Sequence, residues 1–135
     1  MGAGRGGLYS YDWLDRMFGY TDAPSSDDTL PQFQSLAVDD VIPLGNGPSW
    51  PVIVADRNEA LVVEPVTGGV SWAWILEVVD ASTTRLISRV RLGLGHKPLL
   101  LALAPAVDLP WFLLERKMLH GIKRRAEWLA QGPNC

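Results

Sequence analysis

A strict alternation of apolar and polar positions runs through two neighbouring segments of this chain. From Ser71 to Val79, Trp72, Trp74, Leu76 and Val78 fall on one side of an extended backbone, and Ala73, Ile75, Glu77 and Val79 on the other. After Asp80-Ala81-Ser82-Thr83 the pattern resumes from Thr84 to Leu92, where Leu86, Ser88, Val90 and Leu92 oppose Arg85, Ile87, Arg89 and Arg91. This spacing predicts a long antiparallel hairpin with one dry face and one wet face. Upstream, Trp50 to Ala55 and Ala60 to Val63 read as two strands joined by a tight turn at Asp56-Arg57-Asn58-Glu59. A short apolar run, Val41-Ile42-Pro43-Leu44, is closed by the turn signal Gly45-Asn46-Gly47-Pro48, and Thr67-Gly68-Gly69 marks a further turn.

Helical spacing appears at both ends. From Tyr11 to Phe18 the apolar positions recur at steps of three and four, with Ser10 or Asp12 as the expected N-cap and Gly19 as the terminator. The polar stretch from Thr21 to Asp28, which contains Pro24, reads as a loop. Near the C-terminus, Trp111, Met118, Ile122, Ala126 and Leu129 form one apolar stripe that predicts a helix from about Leu109 to Ala130. Asp108 is its expected cap, Pro110 falls in its first turn, and Gly132-Pro133 ends it. Between hairpin and helix, Pro98 to Val107 is almost wholly apolar. With the residues up to Leu114 it approaches the roughly 20 apolar residues of a membrane span. Pro98, Pro105, Asp108 and Pro110 interrupt it, so a buried strand followed by a turn is expected instead of a stable span.

These elements sum to an α+β domain. The length of 135 residues suits one domain, with residues 1–8 a flexible glycine-rich start, 9–130 the folded unit and 131–135 a tail. A net charge of −3 argues against a general nucleic-acid surface. The one cysteine, Cys135, is the last residue and makes no internal disulfide, which fits a reducing compartment. Met1 to Gly7 lacks the apolar core of a secretory signal, so the expected location is cytoplasmic. Six tryptophans are many for this length and mark where chemistry or packing is concentrated.

Several strings resemble a bacterial branch of the SRPBCC superfamily, which includes START-like and polyketide-cyclase-like proteins. In order along the chain they are Tyr9-Ser10-Tyr11-Asp12-Trp13-Leu14, Pro31-Gln32-Phe33-Gln34 with Val38-Asp39-Asp40, Trp72-Ala73-Trp74-Ile75-Leu76-Glu77 and Thr84-Arg85-Leu86. The most specific is the last, Glu115-Arg116-Lys117-Met118-Leu119-His120-Gly121-Ile122-Lys123-Arg124-Arg125-Ala126-Glu127. The resemblance covers Tyr9 to about Trp128. It implies a helix-grip fold, in which a curved antiparallel sheet wraps a long C-terminal helix around an apolar cavity. Members bind hydrophobic small molecules or lipids there, and some are cyclases or hydrolases. The branch resembled has no defining catalytic motif, so the fold alone does not settle function, and no cofactor is expected for this chain. Its members begin with a further strand and helix ahead of the segment matching Tyr9, where this chain starts. An N-terminally truncated sheet would carry an unpaired edge, and marginal stability or edge-mediated homodimerisation is then expected.

On this reading the ligand-binding side chains are Tyr11, Trp13, Trp72, Trp74, Leu76, Trp111, Met118 and Ile122. Each also fits simple packing of the sheet against the helix. His96 and His120 are the only imidazoles, and neither belongs to a Ser–His–acid order or a metal-ligand spacing. A cyclase would need His120, Glu77 or Asp12 turned into the cavity. The basic positions Arg116, Lys117, Lys123, Arg124 and Arg125 suit either an acidic partner, an anionic membrane surface or a solvated helix face. A third reading has the apolar segment from Pro98 to Leu114 docking on a membrane or partner. No catalytic residue, cofactor or metal ligand is assigned.

Overall fold

In a computed structural model, which describes residues 2–26, 28, 30–43, 49–93 and 98–132, five strands follow one another as a meander. They are β1 (Val41–Ile42), β2 (Trp50–Asp56), β3 (Ala60–Val63), β4 (Val70–Val78) and β5 (Thr84–Leu92), paired antiparallel in sequence order. A short helix α1 (Asp12–Met17) and a 3-10 turn (Pro31–Phe33) precede the sheet, and α2 (Pro98–Gln131) follows it. The expected turn at Gly45–Pro48, and also Asp27, His96 and Cys135, lie outside the described residues.

The alternation read from the sequence sets the register of the hairpin. Trp72 pairs with Val90, Trp74 with Ser88 and Leu76 with Leu86, while Ala73, Ile75 and Glu77 face Arg89, Ile87 and Arg85 on the other side. The wet side carries the exposed Arg85–Glu77 ion pair at 3.1 Å. In the β4–β5 turn the Asp80 carboxylate accepts hydrogen bonds from the Ser82 backbone and hydroxyl at 2.8 and 3.0 Å. Those donors hold its pKa below the ordinary aspartate value. The β2–β3 turn places Asn58 at φ +64°, a left-handed conformation that asparagine tolerates better than branched residues.

Strand β2 departs from simple alternation. Val52 pairs with Val63 and Val54 with Val62, so Ile53 is an extra residue in the ladder. The bulge turns half-exposed Ile53 outward and returns Ala55, opposite Leu61, to the face already occupied by Trp50 and Val52. The core therefore gathers Ile42, Trp50, Val52, Val63 and Trp74 from the sheet, closed by Met118 of α2, with Leu119 and Ile122 packed alongside.

Helix α2 corrects the reading of the apolar run. Pro98 to Val107 is neither a strand nor a turn but the first part of one helix, 34 residues long. Asp108 and Leu109 lie inside that helix and do not start it. The segment is built from leucine and alanine, both strong helix formers, with Val107 its single β-branched residue. Pro98 takes the first helical position, where a missing N–H costs nothing, whereas Pro105 and Pro110 each remove one internal hydrogen bond. Among the described residues no helix is long and apolar enough to cross a membrane.

Helix α1 also differs at its start. Tyr11 is the N-cap and no side chain caps the helix, so neither Ser10 nor Asp12 has the expected role. Ser10 instead donates to Asp15, and Asp12 accepts from Ser25. Gly19 does end the helix, at φ +70°, with its N–H on the Arg16 carbonyl.

Met118 is 2% exposed at the point where α2 meets the sheet. Met118→Ala is expected to lower unfolding stability by about 2–5 kcal/mol, whereas Leu129→Ala, half-exposed on the same helix, should change it by less than about 0.5 kcal/mol. Urea denaturation of the two variants makes the comparison.

Candidate functional site

The meander places Val63 beside Trp72 and Leu61 beside Trp74, which stacks the large residues of β4 over the small aliphatics of β3. Trp72 then becomes the centre of an aromatic cluster. Trp74, two residues on along the same face, lies 4.3 Å from it between ring centroids. Trp50 of β2 meets it edge-on at 6.3 Å, and Trp111 of α2 meets it edge-on at 5.5 Å. These tilted and edge-to-face arrangements are the favoured geometries for aromatic quadrupoles.

A polar chain runs through the same place. The Trp72 indole N–H donates to the Ser88 hydroxyl at 2.8 Å, and Ser88 donates in turn to the Glu115 carboxylate. Ser88 sits opposite Trp74 in the ladder, so this relay links β4, β5 and α2. The indole N–H groups of Trp50 and Trp74, each 8% exposed, have no hydrogen-bond acceptor among the described residues. A buried donor left unpaired costs about 1–3 kcal/mol, so these two groups are a local reserve of unsatisfied polarity inside an apolar cluster.

The residues expected to bind a ligand divide between this cluster and the rest of the molecule. Trp72, Trp74 and Trp111 come together, and Met118 and Ile122 belong to the core beneath them. Leu76 lies on the same face of β4 but is 41% exposed. Tyr11 and Trp13 stand apart on α1: the Tyr11 ring lies under the Lys117 ammonium at 4.0 Å, and Trp13 is 62% exposed. None of the three ionisable groups expected of a cyclase is linked to the tryptophan cluster. Glu77 pairs with Arg85 on the wet face, Asp12 is engaged by Ser25, and His120 is exposed on a different side of α2.

Trp50 and the Ser88–Glu115 link are the parts that sequence reasoning missed. Trp50 opens its strand and shares a face with Val52, but the bulge at Ile53 hides that face from a count of alternate positions. Ser88 was legible as the polar break in the apolar series Leu86, Val90, Leu92, and Glu115 as the acid four residues after Trp111. Among the described residues no group of His, Cys, Asp and Glu is placed to hold a metal ion.

Asp15, 4% exposed, is the buried acid of the N-terminal segment. Burial raises its pKa above 3.8, with Asp12 adding to the rise, and the hydrogen bond from Ser10 and the charge of Lys117 opposing it. The folded state therefore holds this proton more tightly than the unfolded chain does. Stability falls as pH rises from the ordinary aspartate value through the raised one, and the full cost remains at neutral pH.

The chain matches no family model, no curated protein and no solved structure.

Two outcomes follow from these contacts. Ser88→Ala strips the acceptor from Trp72 and the donor from Glu115, and is expected to cost about 1–3 kcal/mol in urea unfolding, whereas Glu115→Gln keeps an acceptor for Ser88 and should cost less. Asp15→Asn, which retains an acceptor for Ser10, is expected to melt at a higher temperature than the parent at pH 7. The difference should shrink as the solution is made acidic.

Proposed function

We propose that this domain binds a hydrophobic small molecule or lipid between the tryptophan face of the sheet and α2, as a helix-grip protein of the SRPBCC type. The antiparallel five-stranded sheet with its long C-terminal helix is compatible with that fold. The observation that carries the reading is the incomplete cover over Trp72. Trp111 closes on it while remaining 39% exposed, and Phe112, the next residue around α2, is 57% exposed. On the sheet, exposure along the same face of β4 climbs from 8% at Trp74 through 41% at Leu76 to 77% at Val78. An apolar surface of this kind, continuous with a buried aromatic floor, is where a hydrophobic ligand gains most by leaving water.

The unpaired indole donors of Trp50 and Trp74 add a polar feature to that floor. A ligand carbonyl, hydroxyl or ether oxygen reaching them would supply hydrogen bonds that the described residues leave unmade. No nucleophile or general base is required for this role, and the Glu115 carboxylate at the interface is already occupied by Ser88.

Intrinsic tryptophan fluorescence tests the proposal directly, with oleate, cholesterol and a naphthol as probes and native mass spectrometry for any ligand retained on purification. Saturable quenching or a blue shift with at least one probe is expected, and Trp111→Ala should weaken that binding about tenfold, equivalent to about 1.4 kcal/mol. A flat response to all three probes, together with an unliganded native mass, would rule the proposal out.

A further inference from the structure

A concavity lies on another side of α2, away from the tryptophans. At 100° per residue, Lys117, His120, Gly121 and Arg124 fall roughly 80–180° around the helix from the stripe of Trp111, Glu115, Met118 and Ile122. Gly121 stands at the edge of this face nearest the stripe, and its missing side chain lets the N-terminal segment come close. A Cβ there would lie 3.2 Å from the Cβ of Tyr9 and 3.3 Å from its carbonyl oxygen. Around that gap the two segments enclose a half-open cleft of about 460 Å³, lined by Lys117, His120, Arg124 and Arg125 from α2 and by Tyr9, Ser10, Asp12 and Ser25 opposite.

The walls of the cleft are fixed before anything enters. Tyr9 is held at φ +61°, a conformation rare outside glycine and asparagine, with its N–H on the Ser25 hydroxyl at 3.0 Å. Arg125 stacks on the Tyr9 ring at 4.0 Å and donates to the Ser26 carbonyl at 2.6 and 3.1 Å. Lys117 rests on the Tyr11 ring at 4.0 Å. An aromatic face positions a cation without neutralising it, so both side chains keep their charge while losing less freedom on binding. The acid of the lining, Asp12, accepts from both the N–H and the hydroxyl of Ser25, at 3.0 and 2.7 Å, which directs it to the wall. A chain of net charge −3 thus gathers the basic side chains Lys117, His120, Arg124 and Arg125 in one cleft, while the Ser10 and Ser25 hydroxyls are taken by Asp15 and Asp12.

The geometry points to this cleft as a binding site for a phosphate monoester, with the phosphate held by Lys117 and Arg124 and the remaining volume taking the group esterified to it. Phosphate, with two negative charges near neutral pH, is the oxyanion that best uses more than one cation at once. The site is independent of the hydrophobic-ligand reading, because it uses a different face of α2. A soluble phosphate ester and a phospholipid headgroup present the same chemistry, and the test separates them.

Titration calorimetry at low ionic strength with inorganic phosphate and phenyl phosphate examines the soluble source. Co-sedimentation with phosphatidylcholine vesicles, with and without phosphatidic acid, examines the lipid source. Saturable binding of phenyl phosphate, or sedimentation only when phosphatidic acid is present, is expected, and which arm responds identifies the source. Lys117→Gln and Arg124→Gln should each weaken that binding about tenfold. Arg116→Gln and Lys123→Gln make the same change in net charge on α2 outside the cleft, and should change it by less than about twofold. Circular dichroism confirms that each variant is folded, and Lys117→Gln alone suffices if Arg124→Gln is not. Equal losses in all the variants would reduce the effect to diffuse attraction and overturn the site, as would an absence of binding in both arms.

Discussion

The packing of Trp72 is the constraint on which the rest of the structure depends. Its ring receives Trp50 from β2, Trp74 from its own strand and Trp111 from α2, and its N–H is passed through Ser88 to Glu115. One side chain thereby links the early sheet, the central hairpin and the C-terminal helix, by dispersion and by a directional hydrogen bond together. The two kinds of contact do different things. Aromatic packing brings β2, β4 and α2 into contact, whereas the Ser88–Glu115 hydrogen bond fixes where along the sheet α2 lies, because a half-buried carboxylate that loses its donor is costly.

The other end of α2 is held by a different device. Gly121 allows the Tyr9 backbone to approach the helix, and Arg125 then spans from the Tyr9 ring to the Ser26 carbonyl. The segment from Gly7 to Ser26 is thus fastened to α2 through polar and cation–π contacts. Gly7 belongs to the same arrangement: at φ +82°, a Cβ there would fall 2.6 Å from the Ser25 hydroxyl. The helix consequently has an apolar face that grips the sheet and a cationic face that grips the N-terminal segment. The proposed hydrophobic site and the proposed phosphate site belong to those two faces of the helix.

Much of this was legible in the sequence because the relevant signals are local. Alternation from Ser71 to Leu92 set the register of β4 and β5, and the turn residues Asn58 and Gly19 appear where the backbone turns left-handed. The apolar stripe containing Met118 and Ile122 correctly marked the side of α2 that meets the core. The ring contacts of Trp72 with Trp74 and Trp111 were approachable for the same reason, since each of the three lies on a regular element. Tyr11 and Trp13 were grouped with the cluster only by their aromatic character, and α1 carries them elsewhere.

What the sequence determined by itself was the hairpin, the pairing of its faces and the helical character of the chain's end, since each follows from side-chain period and backbone preference within a few residues. Tertiary structure decided the remainder. The run from Pro98 to Val107 became helix when three prolines argued otherwise, because leucine and alanine favour helix and each internal proline removes only one of many hydrogen bonds. Trp50 joined the cluster through a bulge that shifts the alternation by one residue. Gly121, Tyr9 and Arg125 met across more than a hundred residues of chain, a juxtaposition that no local period encodes. The six tryptophans were visible from the outset. That Trp50, Trp74 and Trp111 converge on Trp72, and Trp13 and Trp128 are exposed, depends on which strands and helix faces are brought together in space.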